Sequence, residues 1–257
     1  MNDEQKYIFD LQGYIVLKKV MPAKVLAECN EAMDRFEAME TSDYPHPISV
    51  GGTRSAAHLA LSNIVEGDPV FHQLIDLPEV LDIVKTVSGD TYRLNHTYSI
   101  SRWGPGECTH LHFHGTPLVP KCQYRYHNGR MLSTLTKAVF PMFDAGVEDG
   151  CFAVIPGSHK SNFPRPWGDH PDENPVLIPV EAEAGDCIIF TEALTHGSVV
   201  KTSERPRRTL YYCYSIGWMP DWGDSLFFSD NVLDKLSEEH RDIVRLKTEY
   251  VEPEHQV

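Results

Sequence analysis

Between Asp90 and Ile216 the chain is broken into short β-rich segments by glycine and proline. No other feature of the sequence limits the fold as much. The segments are Thr91–Trp103, Leu111–His114, Leu132–Met142, Cys151–Ile155, Val176–Ile178, Cys187–Phe190 and Thr209–Ile216. Strands this short bury little on their own, so they must combine into two packed sheets or a closed barrel. The flanks read differently. Residues 4–40 have the pattern helix, short strand (Gly13–Leu17), helix. In the second helix Val25, Leu26, Cys29, Met33 and Phe36 recur at helical spacing behind Pro22. Residues 41–66, with Pro45, Pro47, Gly51 and Gly52, read as loop. Residues 67–90 read as helical, and Asn231–Glu249 as an amphipathic helix. The expectation is a mainly β protein with flanking helices, one domain over 1–257. Its parts are a mostly helical 1–90, a β core over 91–217 and a helical extension over 218–257.

Charge narrows the choice of partners. The 257 residues carry a net charge of −14, and 41% of them are apolar, enough for a sizeable core. That balance argues against duplex nucleic acid and anionic lipid, which need a basic face. Local basic patches remain open at Lys121, Arg125, Arg130, Arg205, Arg207 and Arg208. Six scattered cysteines form no CxxC pair. The polar N-terminus does not read as a secretory signal, and no apolar run reaches membrane-span length. These features lead to the expectation of a cytoplasmic protein with reduced thiols.

The chemistry-bearing pattern is His110-Leu111-His112-Phe113-His114, answered downstream by Thr195-His196-Gly197-Ser198 and, eleven residues after His196, by Arg207. In an extended strand side chains two apart share a face, so this run could aim three imidazoles at one point. Iron centres that activate dioxygen use two histidines and a carboxylate on one face. His112 and His114 have the i, i+2 spacing, but a histidine stands where the carboxylate is expected. His196 follows an apolar strand, and its small neighbours Gly197 and Ser198 let another group approach. A guanidinium at Arg207 can grip a carboxylate with two parallel hydrogen bonds. Alternation allows only one of Arg207 and Arg208 to point inward. His58, His72, His127 and His159 stand alone and read as structural or surface residues.

Together these pieces resemble the phytanoyl-CoA dioxygenase family of iron(II)/2-oxoglutarate-dependent oxygenases. The resemblance starts at Phe9-Asp10-Leu11-Gln12-Gly13-Tyr14-Ile15-Val16-Leu17. It continues through Asp149–Lys160 with Pro156-Gly157-Ser158-His159, and ends with Gly185-Asp186, His196 and Arg207. It implies a double-stranded β-helix of jelly-roll, cupin-like form with metal at its mouth. It also implies iron(II), 2-oxoglutarate and O2 as cofactor and co-substrates. By carry-over, His112 is the first metal ligand and His196 the distal one. Arg207 and Ser198 bind the far carboxylate of 2-oxoglutarate, and Asn95 is a further co-substrate contact. The departure is His112-Phe113-His114 in place of His-x-Asp. Three readings stay open: His114 is a third ligand, making a three-histidine centre; His114 turns away and leaves room for water or an anion, as in relatives that halogenate; or the register shifts, with His114 first and Thr116 at the acid's place.

The expected function is oxidation, by hydroxylation or a related outcome, of a small organic substrate. Two rivals remain: a three-histidine enzyme independent of 2-oxoglutarate, either dioxygenase or hydrolase, and an inactive small-molecule-binding barrel. Tyr124, Arg125, Tyr126, His127, Arg130, Trp103 and Trp167 are expected to line the pocket, and they suggest a small, anionic substrate. Oligomeric state is left open.

Overall fold

The computed structural model describes residues 1–52, 54–112 and 119–247. Helix α1 (Asp3–Gln12) leads into β1 (Tyr14–Leu17), and α2 (Ala23–Ala38) into β2 (Ser49–Val50) and β3 (His58–Ser62). Helix α3 (Pro78–Ser88) precedes the long β4 (Tyr92–Arg102). Then come β5 (Tyr124–His127), β6 (Arg130–Ser133), β7 (Leu135–Pro141), β8 (Phe152–Val154) and β9 (Ile178–Val180). The chain continues through β10 (Cys187–Thr191), β11 (His196–Ser198), β12 (Arg207–Ile216), α4 (Asp230–Leu233) and α5 (Glu238–Val244).

The strands form the two layers of a double-stranded β-helix. A seven-stranded antiparallel sheet runs β1-β10-β7-β12-β4-β3-β2, and a smaller one runs β11-β8-β9. An antiparallel bridge between His112 and His196 adds the start of the histidine run to the edge of the smaller sheet. Residues 41–66 supply β2, at the sheet's edge, and β3 beside it rather than a loop. Leu59 and Leu61 alternate inward within β3, a five-residue pattern hidden between glycine-rich flanks. The expected strand Leu132–Met142 breaks at Thr134 into β6 and β7. The expected C-terminal helix is two short ones, the second capped by Ser237, whose Oγ accepts from His240 N.

Alternation along β12 divides the core. Leu210, Tyr212 and Tyr214 face the helical layer and pack with Phe9, Met33, Phe36, Phe71, Val84 and Phe140. Tyr211 and Cys213 face the space between the sheets with Val139, Phe152, Val154, Ile188 and Phe190. Arg208 follows the outward set and binds Asp34, Glu37 and Asn30 on α2. Arg207 follows the inward set. One break in this parity matters. Opposite Cys213 and Tyr214, β4 pairs through His96 and then Leu94, skipping Asn95. Asn95 is thus the extra residue of a β-bulge, which re-aims its side chain.

Candidate active site

His112 and His196 meet because two short backbone runs, Thr109–His112 and His196–Ser198, pair at close range. His112 N donates to His196 O at 3.1 Å and His196 N to His112 O at 3.2 Å, while Ser198 N donates to Thr109 O at 3.0 Å. Gly197 sits in that pairing. A Cβ there would run into the Thr109 carbonyl oxygen and lie 3.0 Å from a Leu111 methyl. Gly197→Ala should therefore push the two histidines apart. We expect a loss of about 1–3 kcal/mol of stability, as for overpacked cores, together with loss of metal binding. Unchanged metal affinity in the folded variant, measured by equilibrium dialysis, would contradict this.

The two imidazoles are oriented alike. His112 Nδ1 lies 2.8 Å from His110 O, and His196 Nδ1 lies 2.7 Å from Leu194 O. A carbonyl only accepts, so each Nδ1 carries the proton and each Nε2 offers a lone pair. The ring centroids are 4.2 Å apart, and Phe190 and Phe152 wall the His196 ring at 4.5 and 5.8 Å. Burial holds His112 down to about 4, and burial followed by the His112 charge drives His196 well below the usual imidazole range. Both are neutral at pH 7, the form that binds metal.

A third donor faces them that the sequence reading missed. Glu192, at the end of β10 and 1% exposed, puts Oε2 3.8 Å from His196 Nε2. Ligand atoms of His112, Glu192 and His196 all lie within 4.8 Å of one another. Glu192 Oε1 accepts from Lys137 Nζ at 2.8 Å, and Lys137 also donates to Tyr98 Oη at 3.2 Å. Tyr98 stacks on Tyr211 with centroids 4.3 Å apart.

Beyond His196 the barrel holds two arginines side by side, Arg207 on β12 directly opposite Arg102 on β4. Arg102 Nη1 donates to Ser198 Oγ at 2.9 Å and Nη2 to Thr109 Oγ1 at 2.6 Å. Burial first and Arg207 second lower Arg102 to about 10. Neither Nε finds a hydrogen-bond partner, and neither guanidinium pairs with a carboxylate, among the described residues. Ser198 Oγ accepts from Arg102 and from Thr109 N at 2.7 Å, which leaves its own proton to donate. Two buried cations without a counter-ion, next to a free hydroxyl proton, make an anion site. Arg102 was legible only through the strand register.

Other expected residues lie elsewhere. His114 falls outside the described residues. His110 leaves the histidine pair and instead gathers with Cys108 and His170, their ligand atoms within 4.8 Å of one another. The 107–111 stretch is not regular strand, so two-residue alternation does not hold there. Asn95 is fully committed at its bulge. Its amide nitrogen donates to Pro220 O at 3.0 Å and to Ser215 Oγ at 3.3 Å, and its oxygen accepts from Trp222 N at 3.0 Å. It positions the 220–222 segment rather than presenting a free polar atom to a co-substrate. His159 packs edge-on against Tyr124 and bonds Asp10 O. Tyr124 donates to Asp10 Oδ1 at 2.6 Å, so it braces α1 instead of lining a pocket.

A cleft of about 300 Å³ opens over His112, Lys137 and Glu192. Among the described residues its walls are His96, Tyr98, Ile100, Leu61, Trp222 and Leu226, not Trp103, Trp167 or the 124–130 hairpin. A larger open groove of about 1470 Å³ between α3 and α5 contains none of the paired histidines.

A model of the phytanoyl-CoA dioxygenase (PhyH) family matches residues 9–209, most of the chain, with His112, Glu192, His196 and Arg207 inside the match. The chain belongs to the phytanoyl-CoA dioxygenase family. It is 28% identical over 219 residues to the dioxygenase af480 of Aspergillus fumigatus, covering 83% of this chain and 66% of that protein's length. It is 23% identical to the human peroxisomal phytanoyl-CoA dioxygenase, covering 76% of this chain and 62% of that one. Among solved structures, HygX from Streptomyces hygroscopicus, with nickel, 2-oxoglutarate and hygromycin B bound, superposes with a TM-score of 0.75. That match has 23% identity and covers 87% and 90% of the two chains. The nogalamycin-biosynthesis epimerase SnoN follows at 0.63 with 18% identity, covering 84% and 80%. These likenesses show the fold. The family places the chain among the non-haem iron(II)/2-oxoglutarate-dependent oxygenases, with O2 as the second co-substrate. No helix among the described residues is long and apolar enough to cross a membrane.

Proposed function

We propose that this PhyH-family oxygenase oxidises a small organic molecule held in the 300 Å³ cleft, with iron at His112 and His196 and 2-oxoglutarate anchored by Arg207. The observation that carries the reading is the pair of unneutralised, buried guanidiniums beside Ser198, on the same strand as His196. A dicarboxylate whose far end meets that pair neutralises one of the two charges, gives both guanidiniums an acceptor and accepts the hydrogen bond that the Ser198 hydroxyl can donate. It would extend from there toward the two imidazole lone pairs. The donor set fits a divalent metal of intermediate softness. Bound iron supplies oxygen activation coupled to oxidative decarboxylation of 2-oxoglutarate.

The chain's own residues set the conditions. Arg207 and Arg102 fix the co-substrate's distal end. The backbone carbonyls of His110 and Leu194 hold the two imidazoles in the ligating tautomer. Phe152 and Phe190 exclude water on the His196 side. Trp222, His96 and Tyr98 offer flat faces to a substrate, and Leu61, Ile100 and Leu226 supply apolar contact. A cleft of this size matches a compact organic substrate.

The test is succinate formation from 2-oxoglutarate by the iron-loaded protein in air. We expect turnover by the wild type, uncoupled from added substrate if need be, and none from His196→Ala. Equal succinate from His196→Ala would overturn the assignment. Titratable metal binding with no 2-oxoglutarate binding would favour the oxoacid-independent rival.

A further inference from the structure

We infer that Glu192 is the carboxylate ligand of the metal centre, taking the place of the acid missing from the His112-Phe113-His114 motif. The inference rests on the proposed iron site and names its third ligand. Four observations support it. Glu192 is 1% exposed inside the barrel, where an acid needs a reason to be. Its Oε2 has no hydrogen-bond partner among the described residues. That oxygen lies 3.8 Å from His196 Nε2 and within 4.8 Å of the His112 ligand atom. Two neighbouring ligands of a metal bound at roughly 2.1 Å stand about 3 Å apart, so closing onto an ion asks for a shift of about an ångström. Finally, each imidazole carries its proton on Nδ1, against a backbone carbonyl, which makes Nε2 the ligating nitrogen.

Lys137 explains how such an acid is held. Its ammonium binds Oε1 at 2.8 Å and is itself braced by Tyr98 Oη. One carboxylate oxygen is tethered, and the other is left to the metal. The resulting centre has two histidines and one carboxylate, with the acid drawn from the strand before the distal histidine rather than from the histidine run. Its charge matches the usual facial site, whereas a centre completed by His114 would carry one more positive charge.

The alternative is a buried Lys137–Glu192 ion pair that serves structure alone. Anaerobic cobalt(II) titration of the full chain, read by the visible d–d bands, separates the two. The proteins are wild type, Glu192→Gln, Lys137→Met, His114→Ala and His196→Ala, each checked for folding by circular dichroism. We expect one cobalt per wild-type chain, loss on His196→Ala, at least about a tenfold weaker affinity with altered bands in Glu192→Gln, weaker affinity with wild-type bands in Lys137→Met, where the ligand set is kept but its tether is lost, and binding within about threefold of wild type in His114→Ala. If Glu192→Gln destabilises too far to titrate, Glu192→Asp should still bind cobalt with shifted bands. Wild-type affinity and bands in Glu192→Gln would overturn the inference. Loss confined to His114→Ala and His196→Ala would overturn it in favour of a three-histidine centre. Equal weakening by Glu192→Gln and Lys137→Met with unchanged bands would reduce Glu192 to the structural pair. A wild type that binds no cobalt would remove the underlying metal-site reading as well.

Discussion

Arg207→Met will remove 2-oxoglutarate binding while leaving the co-substrate-free protein no less stable. The two halves of this expectation have the same origin. Arg207 is 6% exposed and faces Arg102 across β12 and β4, and neither forms an ion pair with an acid among the described residues. Methionine keeps much of the apolar stem and deletes a buried like charge, so the empty protein gains electrostatically what it loses in packing. Truncating one partner of a desolvated charge pair costs about 2–5 kcal/mol of binding, or about 30-fold to several-thousand-fold in Kd. The adjacent Arg208 gives the opposite result. It is bound to Asp34 and Glu37 on the helical side. Arg208→Met should destabilise the fold by about 3 kcal/mol, as for a broken buried pair, and leave 2-oxoglutarate affinity unchanged. Isothermal titration with 2-oxoglutarate and urea unfolding, on both variants, check this. Affinity of Arg207→Met within threefold of wild type would refute it.

The second large effect is acid destabilisation of the metal-free protein. Burial holds His96 down to about 3 and both His112 and His159 to about 4, against an unfolded value of 6.5. The sign follows from proton counting. Below pH 6.5 the unfolded chain takes up protons on these groups and the folded chain does not, so stability falls as pH drops from 6.5 toward 4. Between pH 7 and 5 each of the three withdraws about 2 kcal/mol. Together this approaches the whole stability of an ordinary domain. Asp149 and Asp186, held low by their hydrogen bonds and ion pairs against burial, add to the loss only below their unfolded value of 3.8. Urea midpoints at pH 7, 6 and 5 should fall steeply, and a flat profile would contradict the burial of these histidines. Bound metal should raise stability at each pH without flattening the profile, because ligated His112 and His196 still take no proton while the unfolded chain's histidines do.

The parts of the molecule that a local pattern can encode were legible in the sequence. Two-residue alternation correctly divided Arg207 from Arg208. The helical spacing of Val25, Cys29, Met33 and Phe36 located α2. His196-Gly197-Ser198 marked a place where another strand must come close, and the structure puts Thr109–His112 there. What escaped depends on register and on breaks in regularity. Glu192 and Lys137 lie at the end of one strand and within another, and nothing local says that β10 and β7 bring them together. Arg102 gains meaning only once β4 is paired with β12. Asn95 was carried over from the family resemblance, and the bulge at that residue turns its side chain to Pro220 and Trp222. His110 was grouped with His112 on an alternation that the irregular 107–111 backbone does not follow.

The most direct measurement of the central claim is anaerobic addition of iron(II) and then 2-oxoglutarate, watching for the weak visible charge-transfer band of a chelated oxoacid. We predict the band in wild type, its loss in His196→Ala and Arg207→Met at matched co-substrate, and its persistence in Arg208→Met. No band in an iron-loaded wild-type protein, or an undiminished band in Arg207→Met, would contradict the account.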